Sequence, residues 1–219
     1  MPFTILHPIK SKIYNQCQLI KSLISDFPNM QSLWHKKMSL IFRREADEIS
    51  EGDKEIKASE FLQMSHFYDD QREYKGCFYN AMLILVFSYY EDLMICIHNY
   101  EFPNCQTDKM PKMSEFCAKK GIELSSKAKE SVEFIYNKVR LLRNYMAHSK
   151  WGRQDNSSSE IATLKSLEVE YSDIHIDSTS IYLLGNTFLL DALTKERDVL
   201  LELSDKLGYT NKSTHSHIE

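Results

Sequence analysis

Between Phe78 and Ile97 lies a segment whose apolar residues form two stripes at helical spacing, and this feature limits the possible folds most. The first stripe contains Phe78, Met82, Leu85, Tyr89, Leu93 and Cys96, and the second contains Tyr79, Leu83, Val86, Tyr90 and Ile97. Both stripes repeat at about 3.6 residues, the period of an α-helix. A helix that is apolar on two sides needs partners on both, so this helix is predicted to lie at the centre of a bundle or at an oligomer interface.

The amino-acid composition favours a helical globular protein. Only six glycines and five prolines, the residues that most often interrupt helices, occur in 219 residues. Apolar residues make up 42% and charged residues 26%, which is typical of a globular domain. The net charge of −4 argues against broad electrostatic binding of nucleic acid, although it allows a local basic patch.

Cysteine usage and the N-terminal residues indicate a cytoplasmic protein. The five cysteines are scattered and include no Cys-x-x-Cys pair, which predicts reduced thiols rather than disulfides or a zinc site. The first residues lack the basic start and the long apolar run of a signal peptide. The run from Ala81 to Phe87 is too short to cross a membrane, so no membrane association is expected.

The chain divides into three predicted segments: a helical N-terminal extension over residues 1–54, a helical domain over 55–207, and a disordered tail over 208–219. In the extension, a short helix over 13–24 is expected to end at an Asp-Phe-Pro-Asn sequence, and a second helix follows from about Gln31 to Ile49. The polar tail carries two histidines that resemble a metal clip, but mobility is the expected state of such a tail.

A second long helix, called the motif helix below, is predicted from Ser126 to the residues before Gly152. Its apolar stripe consists of Ala128, Val132, Ile135, Val139, Leu142 and Met146. Ser125 or Ser126 can cap its start by accepting a hydrogen bond from an unpaired backbone N–H. Gly152 is the expected stop, because glycine readily adopts the left-handed conformation that ends helices. A shorter helix before it, over 112–120, is expected to stop at Gly121 for the same reason.

The end of the motif helix carries Arg143, Asn144 and His148. On a straight helix with about 100° per residue, Arg143 lies about 60° from the centre of the apolar stripe, while Asn144 and His148 point away from it. The simplest interpretation is structural, because arginine and protonated histidine near a helix C-terminus interact favourably with the helix dipole. A catalytic interpretation competes with it, since histidine titrates near neutral pH and arginine binds phosphate.

Glu91 lies within the doubly apolar helix, and a buried carboxylate at that position would need a partner. Arg143 is the candidate partner. A helix-packing ion pair, or simple exposure of Glu91 to solvent, competes with a catalytic or site-orienting role for this carboxylate.

The region after the motif helix is predicted to contain a small hairpin and a last helix. A polar loop over 154–159 is followed by alternating apolar residues over 167–171 and 174–176, which is typical of two short strands. Ser178 or Thr179 is expected to cap the last helix. Its packing face consists of Leu189, Leu193, Leu200, Leu203 and Leu207.

The sequence from Arg143 to His148, with four residues between them and a polar residue after the arginine, resembles the Arg-x4-6-His motif of the HEPN superfamily. An earlier apolar helix carries Ser88-Tyr89-Tyr90-Glu91, which resembles the serine-and-glutamate helix of many members, and a long amphipathic helix follows the motif. The resemblance covers about residues 55 to 207. It implies a mainly α fold, an HEPN-like helical bundle with a small β-hairpin insertion.

The resemblance implies a metal-independent endoribonuclease that cleaves RNA by attack of the 2′-hydroxyl group. Its implied site residues are Arg143, His148, Asn144 and Glu91, and it implies RNA as the substrate and no cofactor or metal. One chain supplies only one such histidine, whereas HEPN proteins form dimers in which two motifs meet. A homodimer with a composite site is therefore expected.

The resemblance also implies a biological role and leaves alternatives open. HEPN nucleases commonly act as toxins or antiviral effectors, with an antitoxin or a sensor protein as partner. In one branch a partner enzyme modifies a tyrosine two residues after the histidine, and Lys150 at that position argues against this form of silencing. The alternative is a catalytically silent HEPN-like module that binds or regulates a partner. A helical scaffold protein with a chance motif is a third interpretation.

Overall fold

The computed structural model describes residues 4–5, 7–48, 72–147, 158–176, 181–209 and 212–213. Its α-helices are α1 (Pro8–Glu48), α2 (Arg72–Glu101), α3 (Met113–Lys120), α4 (Ser126–Phe134), α5 (Arg140–Ala147), α6 (Ser158–Glu170) and α7 (Thr187–Lys206), and a π-helical segment, Ile135–Val139, joins α4 to α5. Four short strands are β1 (Thr4–Ile5), β2 (Ile174–Ile176), β3 (Ile181–Leu183) and β4 (Lys212–Ser213). They form two antiparallel pairs, β1 with β4 and β2 with β3. The prediction of a mainly helical fold with a small β-hairpin is confirmed.

Helix α2 lies at the centre of the bundle, where it packs against α1, α5, α7 and β3. Its second predicted stripe is buried throughout and consists of Tyr79, Leu83, Val86, Tyr90 and Ile97. The first stripe is mixed, since Tyr89 and Leu93 are buried whereas Leu85 is 37% exposed. The predicted central position of this helix is confirmed, and one edge of it remains at the surface.

Among the described residues, one stretch of helix, Gly76–Glu101, is long and apolar enough to cross a membrane, with a mean hydropathy of 1.5 in its most apolar window. It is longer than the apolar run that the sequence suggested. In the structure, 44% of that window is buried inside the protein. Core helices of globular bundles pass the same test of length and composition, and the packing of α2 against four other elements accounts for its apolar character.

Helix α1 runs without interruption from Pro8 to Glu48, so the predicted break near Pro28 is wrong. Proline inside a helix removes one backbone hydrogen bond, at a cost of about 3 kcal/mol. Packing on the N-terminal side of the proline offsets this cost. Phe27 stacks on Phe78 of α2. The residues of α1 that join the core with α2 and α7 are Ile9, Ile13, Cys17, Ile20 and Ile24.

The first part of α1 therefore shares its hydrophobic core with the helices that follow it in the chain. The predicted boundary between an extension and a helical domain, between residues 54 and 55, lies outside the described residues.

The β-hairpin is present, but its first strand is not the one that the sequence predicted. Residues 158–170 form helix α6, and β2 pairs with β3 in a register that places Ile174 opposite Leu183. The alternation of Leu167, Val169 and Tyr171 was misleading, because the buried residues of this stretch are Leu164, Leu167 and Tyr171, which follow a helical spacing. Val169 is 90% exposed.

Helix α7 begins later than predicted, at Thr187, and its N-cap residue is Asn186. The Asn186 side chain makes no capping hydrogen bond. Instead, the backbone N–H of Phe188 donates a hydrogen bond of 3.1 Å to the Asp173 carboxylate, which lies in the turn before β2. Ser178 and Thr179, the predicted caps, lie outside the described residues.

The predicted start of the motif helix is confirmed. The Ser125 hydroxyl accepts a hydrogen bond from the backbone N–H of Ala128 at 3.2 Å. Glu202 of α7 holds this cap by accepting hydrogen bonds from the Ser125 backbone N–H and hydroxyl. Helix α3 ends as predicted, because Gly121 follows it with a left-handed φ of 63°. Gly152, the predicted stop of the motif helix, lies outside the described residues.

The described segments near the two ends of the chain meet at one end of the bundle. Tyr209, the second residue of the predicted disordered tail, is buried, and its hydroxyl donates a hydrogen bond of 2.6 Å to Glu101. The His7 ring stacks on the Tyr209 ring with 4.3 Å between centroids. Desolvation acts to raise the pKa of Glu101, but hydrogen bonds from Lys120 and Tyr209 outweigh it and leave that pKa lowered. The part of the tail that is described is therefore attached to the bundle.

Candidate functional site

The motif helix reaches its candidate site through a π-helical segment. The backbone N–H of Arg140 donates to the carbonyl of Ile135, five residues earlier, which marks one extra residue in the turn. After this segment the buried residues are Val139, Leu142 and Tyr145. The stripe predicted from the sequence placed Met146, and not Tyr145, on the buried side, because a uniform α-helix was expected.

Tyr145 turns inward because α6 provides a partner for its hydroxyl group. That hydroxyl donates a hydrogen bond of 3.1 Å to Glu160 of α6, and Met146 is half-buried beside it. The side of α5 that faces the core is therefore centred on Leu142. At about 100° per residue, Arg143 lies about 100° from Leu142, and Asn144 lies about 160° from it. Arg143 is thus further from the core than the sequence predicted, and Asn144 faces away from it, as expected.

Two contacts and one unpaired donor define the surroundings of Arg143, which is half-buried. Its Nη1 donates a hydrogen bond of 3.0 Å to the Oδ1 of Asn144. Its guanidinium carbon lies 5.5 Å from the centre of the Phe87 ring on α2, within the range of a cation–π interaction. Its Nε is buried and has no hydrogen-bond partner among the described residues. The guanidinium is therefore held between α2 and α5 with part of its donor capacity unused.

No carboxylate pairs with Arg143 within the described ranges, and Glu91 in particular does not. Glu91 is half-buried rather than buried, so it lacks the strong need for a partner that the sequence suggested. The two helices run antiparallel: Phe87 of α2 meets Arg143, and Tyr90 meets Tyr136 with ring centroids 6.4 Å apart. Glu91 thus lies about two helical turns from Arg143, beside the π-helical segment.

An electrostatic effect on Tyr136 supports this placement of Glu91. Burial is the main reason that the pKa of Tyr136 is raised, and the negative charge of Glu91 adds to the increase. The structure therefore joins Arg143 to Asn144 and Phe87, and it separates Glu91 from them. His148 lies outside the described residues, so its role stays a prediction from the sequence.

Among the described residues, one carboxylate without any exposed surface has a position that was not predicted from the sequence. Glu196 of α7 has no exposed surface, and neither carboxylate oxygen has a hydrogen-bond partner. Burial raises its pKa well above the ordinary value of 4.5. Tyr90 is equally buried, its hydroxyl also lacks a partner, and burial together with Tyr136 and Glu196 raises its pKa.

The spacing of residues on the packing face of α7 could have predicted the burial of Glu196. Glu196 lies three residues after Leu193 and four before Leu200, in phase with the leucines of that face. A carboxyl group in such a stripe is expected in the core. Glu196 has no exposed surface, so it forms no part of the site around Arg143.

A groove of about 570 Å³ lies between α4, the π-helical segment and α7. Lys138 and Lys195 lie over the Phe134 ring, at 5.4 and 4.7 Å from its centre. Both ammonium groups are paired, Lys138 with Glu170 and Lys195 with Asp191, each at 2.5 Å. The carboxylates neutralise most of the positive charge that a phosphate would need, so this groove is not assigned as a binding site for RNA.

Within the described ranges, no group of three or more His, Cys, Asp or Glu residues is arranged to hold a metal ion. His148, His215 and His217 lie outside those ranges.

Comparisons of the chain with protein-family models, with curated proteins and with solved structures find no match. The resemblance to HEPN proteins therefore stays a prediction from the sequence.

Proposed function

We propose that this protein is a metal-independent endoribonuclease of the HEPN type, acting as a toxin or an antiviral effector. The observation that supports this most is the state of Arg143. It is a half-buried cation at the end of the motif helix, with no carboxylate partner among the described residues and an unused buried Nε donor. Arginine keeps its charge at any physiological pH, and its planar donors match the oxygens of a phosphate.

The proposed reaction divides the work between two groups. His148 removes the proton of the 2′-hydroxyl group or protonates the 5′ leaving oxygen, since imidazole titrates near neutral pH. Arg143 binds the scissile phosphate and stabilises the crowded phosphorane. The 2′-oxygen forms a bond to phosphorus, and the bond to the 5′-oxygen breaks, which leaves a 2′,3′-cyclic phosphate on the upstream fragment. Two chains with their motif helices near a two-fold axis supply both an acid and a base.

Asn144 and Phe87 have supporting roles in this proposal. The hydrogen bond from Arg143 to Asn144 and the contact with the Phe87 ring restrict the guanidinium before substrate arrives. Preorganisation of this kind lowers the reorganisation needed in the transition state. The separation of Glu91 from Arg143 favours a packing role for Glu91 over a direct one in catalysis.

A catalytically silent HEPN-like binding module is the second candidate, and the same contacts favour it. Arg143 bridges α5 to α2 through Phe87, which is what an arginine with a purely structural role would do. An assay of activity separates the two candidates, because only the ribonuclease needs the arginine fork and the histidine together.

The test is cleavage of end-labelled single-stranded and hairpin RNA by the purified full chain in EDTA. We expect cyclic-phosphate products, a loss of roughly 100-fold or more with His148→Ala, and a comparable loss with Arg143→Lys, because lysine cannot reproduce the planar fork. Arg140→Lys is the matched control, since Arg140 lies one turn earlier on the same helix and is exposed. Full activity of His148→Ala, or abolition of cleavage by EDTA, would overturn the mechanism.

A folded chain that cleaves no RNA at any protein concentration would favour the binding module. Circular dichroism of each variant ensures that a loss of activity is not a loss of fold.

A further inference from the structure

The outer side of α1 carries a row of exposed apolar residues. The exposed fractions are 63% for Leu19, 39% for Leu23, 55% for Met30, 70% for Leu33 and 61% for Leu40. This row lies about 130° around the helix from the face that enters the core. Scattered exposed leucines are ordinary, but a row of exposed apolar residues along one side of a helix marks an interaction surface.

The row follows the spacing of a coiled coil. Positions 19, 23, 26, 30, 33, 37 and 40 alternate by steps of four and three, which is the 3.5-residue repeat of a helix that pairs with another helix along its length. Two of the seven positions are charged rather than apolar. They are Asp26 and Lys37, which are both exposed and carry opposite charges.

These two charges are placed symmetrically in the row. The midpoint between Asp26 and Lys37 is also the midpoint between Met30 and Leu33, and between Leu23 and Leu40. A second copy of the same row, running antiparallel about that midpoint, places Leu23 against Leu40 and Met30 against Leu33. The same alignment places each Asp26 against a Lys37. A parallel alignment would instead place like charges together, which is unfavourable.

We propose that the outer row of α1 binds the same row of a second copy of this chain, as an antiparallel helix pair with a two-fold axis at the Met30–Leu33 layer. A two-fold interface uses one surface twice, so a row that is complementary to its own reversed copy fits a homodimer. The apolar layers supply the burial, and the two Asp26–Lys37 pairs select the antiparallel direction and the register. Leu19 at the edge of the row faces Arg44, whose aliphatic stem can cover it.

This surface is separate from the end of the motif helix, and the proposal does not depend on ribonuclease activity. The α1 row and the end of the motif helix can therefore be tested separately. Substitutions in the α1 row should change the α1 pairing, whereas substitutions at Arg143 should leave it intact.

The first test is sedimentation equilibrium of the full chain at micromolar concentrations. We expect Leu33→Asp, which places a carboxylate in the central layer of both copies, to disrupt the α1 pairing and lower the molecular mass of the assembly, whether or not the motif helices also pair. Val169→Asp is the matched control, because Val169 is an exposed apolar residue on α6, away from the row. An unchanged mass for Leu33→Asp, a monomeric wild type, or equal dissociation by Val169→Asp would overturn the proposal.

The second test is a charge exchange. Asp26→Lys alone and Lys37→Asp alone should each weaken association by about tenfold, since each places like charges together twice in the antiparallel pair. The double variant D26K/K37D should restore association, because it recreates both opposite-charge pairs. Absence of rescue, with circular dichroism showing an intact fold, would refute the antiparallel register. In a parallel pair the single variants would not weaken association.

Discussion

Glu196 offers the clearest test of how this core is built, because it is a carboxyl group with no exposed surface and no hydrogen-bond partner. We predict that Glu196→Met raises the free energy of unfolding. An unpartnered buried polar group costs about 1–3 kcal/mol. Methionine has a similar length, carries no polar oxygen and adapts its shape to the site, so it removes this cost without a large cavity.

Ionisation adds a part that depends on pH. Burial raises the pKa of Glu196 in the folded chain above the ordinary 4.5, so the unfolded chain loses its proton first. Below pH 4.5 the carboxyl group is protonated in both the folded and the unfolded chain, and the wild type keeps its full stability. As the pH rises from 4.5 towards the folded pKa, only the unfolded chain loses the proton, so the free energy of unfolding falls. Each pH unit in that window costs the wild type about 1.4 kcal/mol relative to the methionine variant.

The assay is urea denaturation followed by circular dichroism. The wild type and the variant are compared at a series of pH values from about 4 to about 8. The advantage of Glu196→Met should grow as the pH rises. Glu202→Gln on the same helix is the control with the opposite sign. Desolvation acts to raise the pKa of Glu202, but hydrogen bonds from Ser125 leave it lowered, so this variant should lose most at neutral pH. A methionine advantage that does not change with pH would refute the reasoning.

Two further predictions test the parts of the fold that the sequence did not predict. Pro28→Ala should stabilise the protein by up to about 3 kcal/mol, because α1 continues through this position and alanine restores a helical hydrogen bond; a loss of stability would contradict a continuous α1. Gly185→Ala should destabilise it by about 1–3 kcal/mol, because the new methyl group would lie 2.8 Å from the Asp173 Cβ; a neutral effect in urea denaturation would show that this turn can move.

Local signals in the sequence determined several features of this protein. The two apolar stripes placed α2 at the centre, Ser125 marked the start of the motif helix, and Gly121 marked the end of α3. Each of these depends on residues within one or two helical turns, where side-chain spacing and backbone conformation act directly. The pairing of Arg143 with Asn144 is also local, whereas the role of His148 stays a prediction from the sequence.

Tertiary packing decided the rest. The continuity of α1 past Pro28 depends on contacts with α2 and α7, which a local pattern does not contain. The stretch around Leu167 satisfies both the helical and the strand period, and the burial of Leu164 and Leu167 chose the helix.

The partner of Arg143 was decided in the same way. Charge alone suggested Glu91, but the antiparallel packing of α2 on the motif helix brings Phe87 to the arginine and leaves Glu91 beside Tyr136. The enclosed position and the raised pKa of Glu196 likewise follow from the helices around it rather than from its neighbours in the chain. Residue types and their period are properties of the sequence, whereas contacts between helices depend on direction, register and depth, which exist only once the helices have packed.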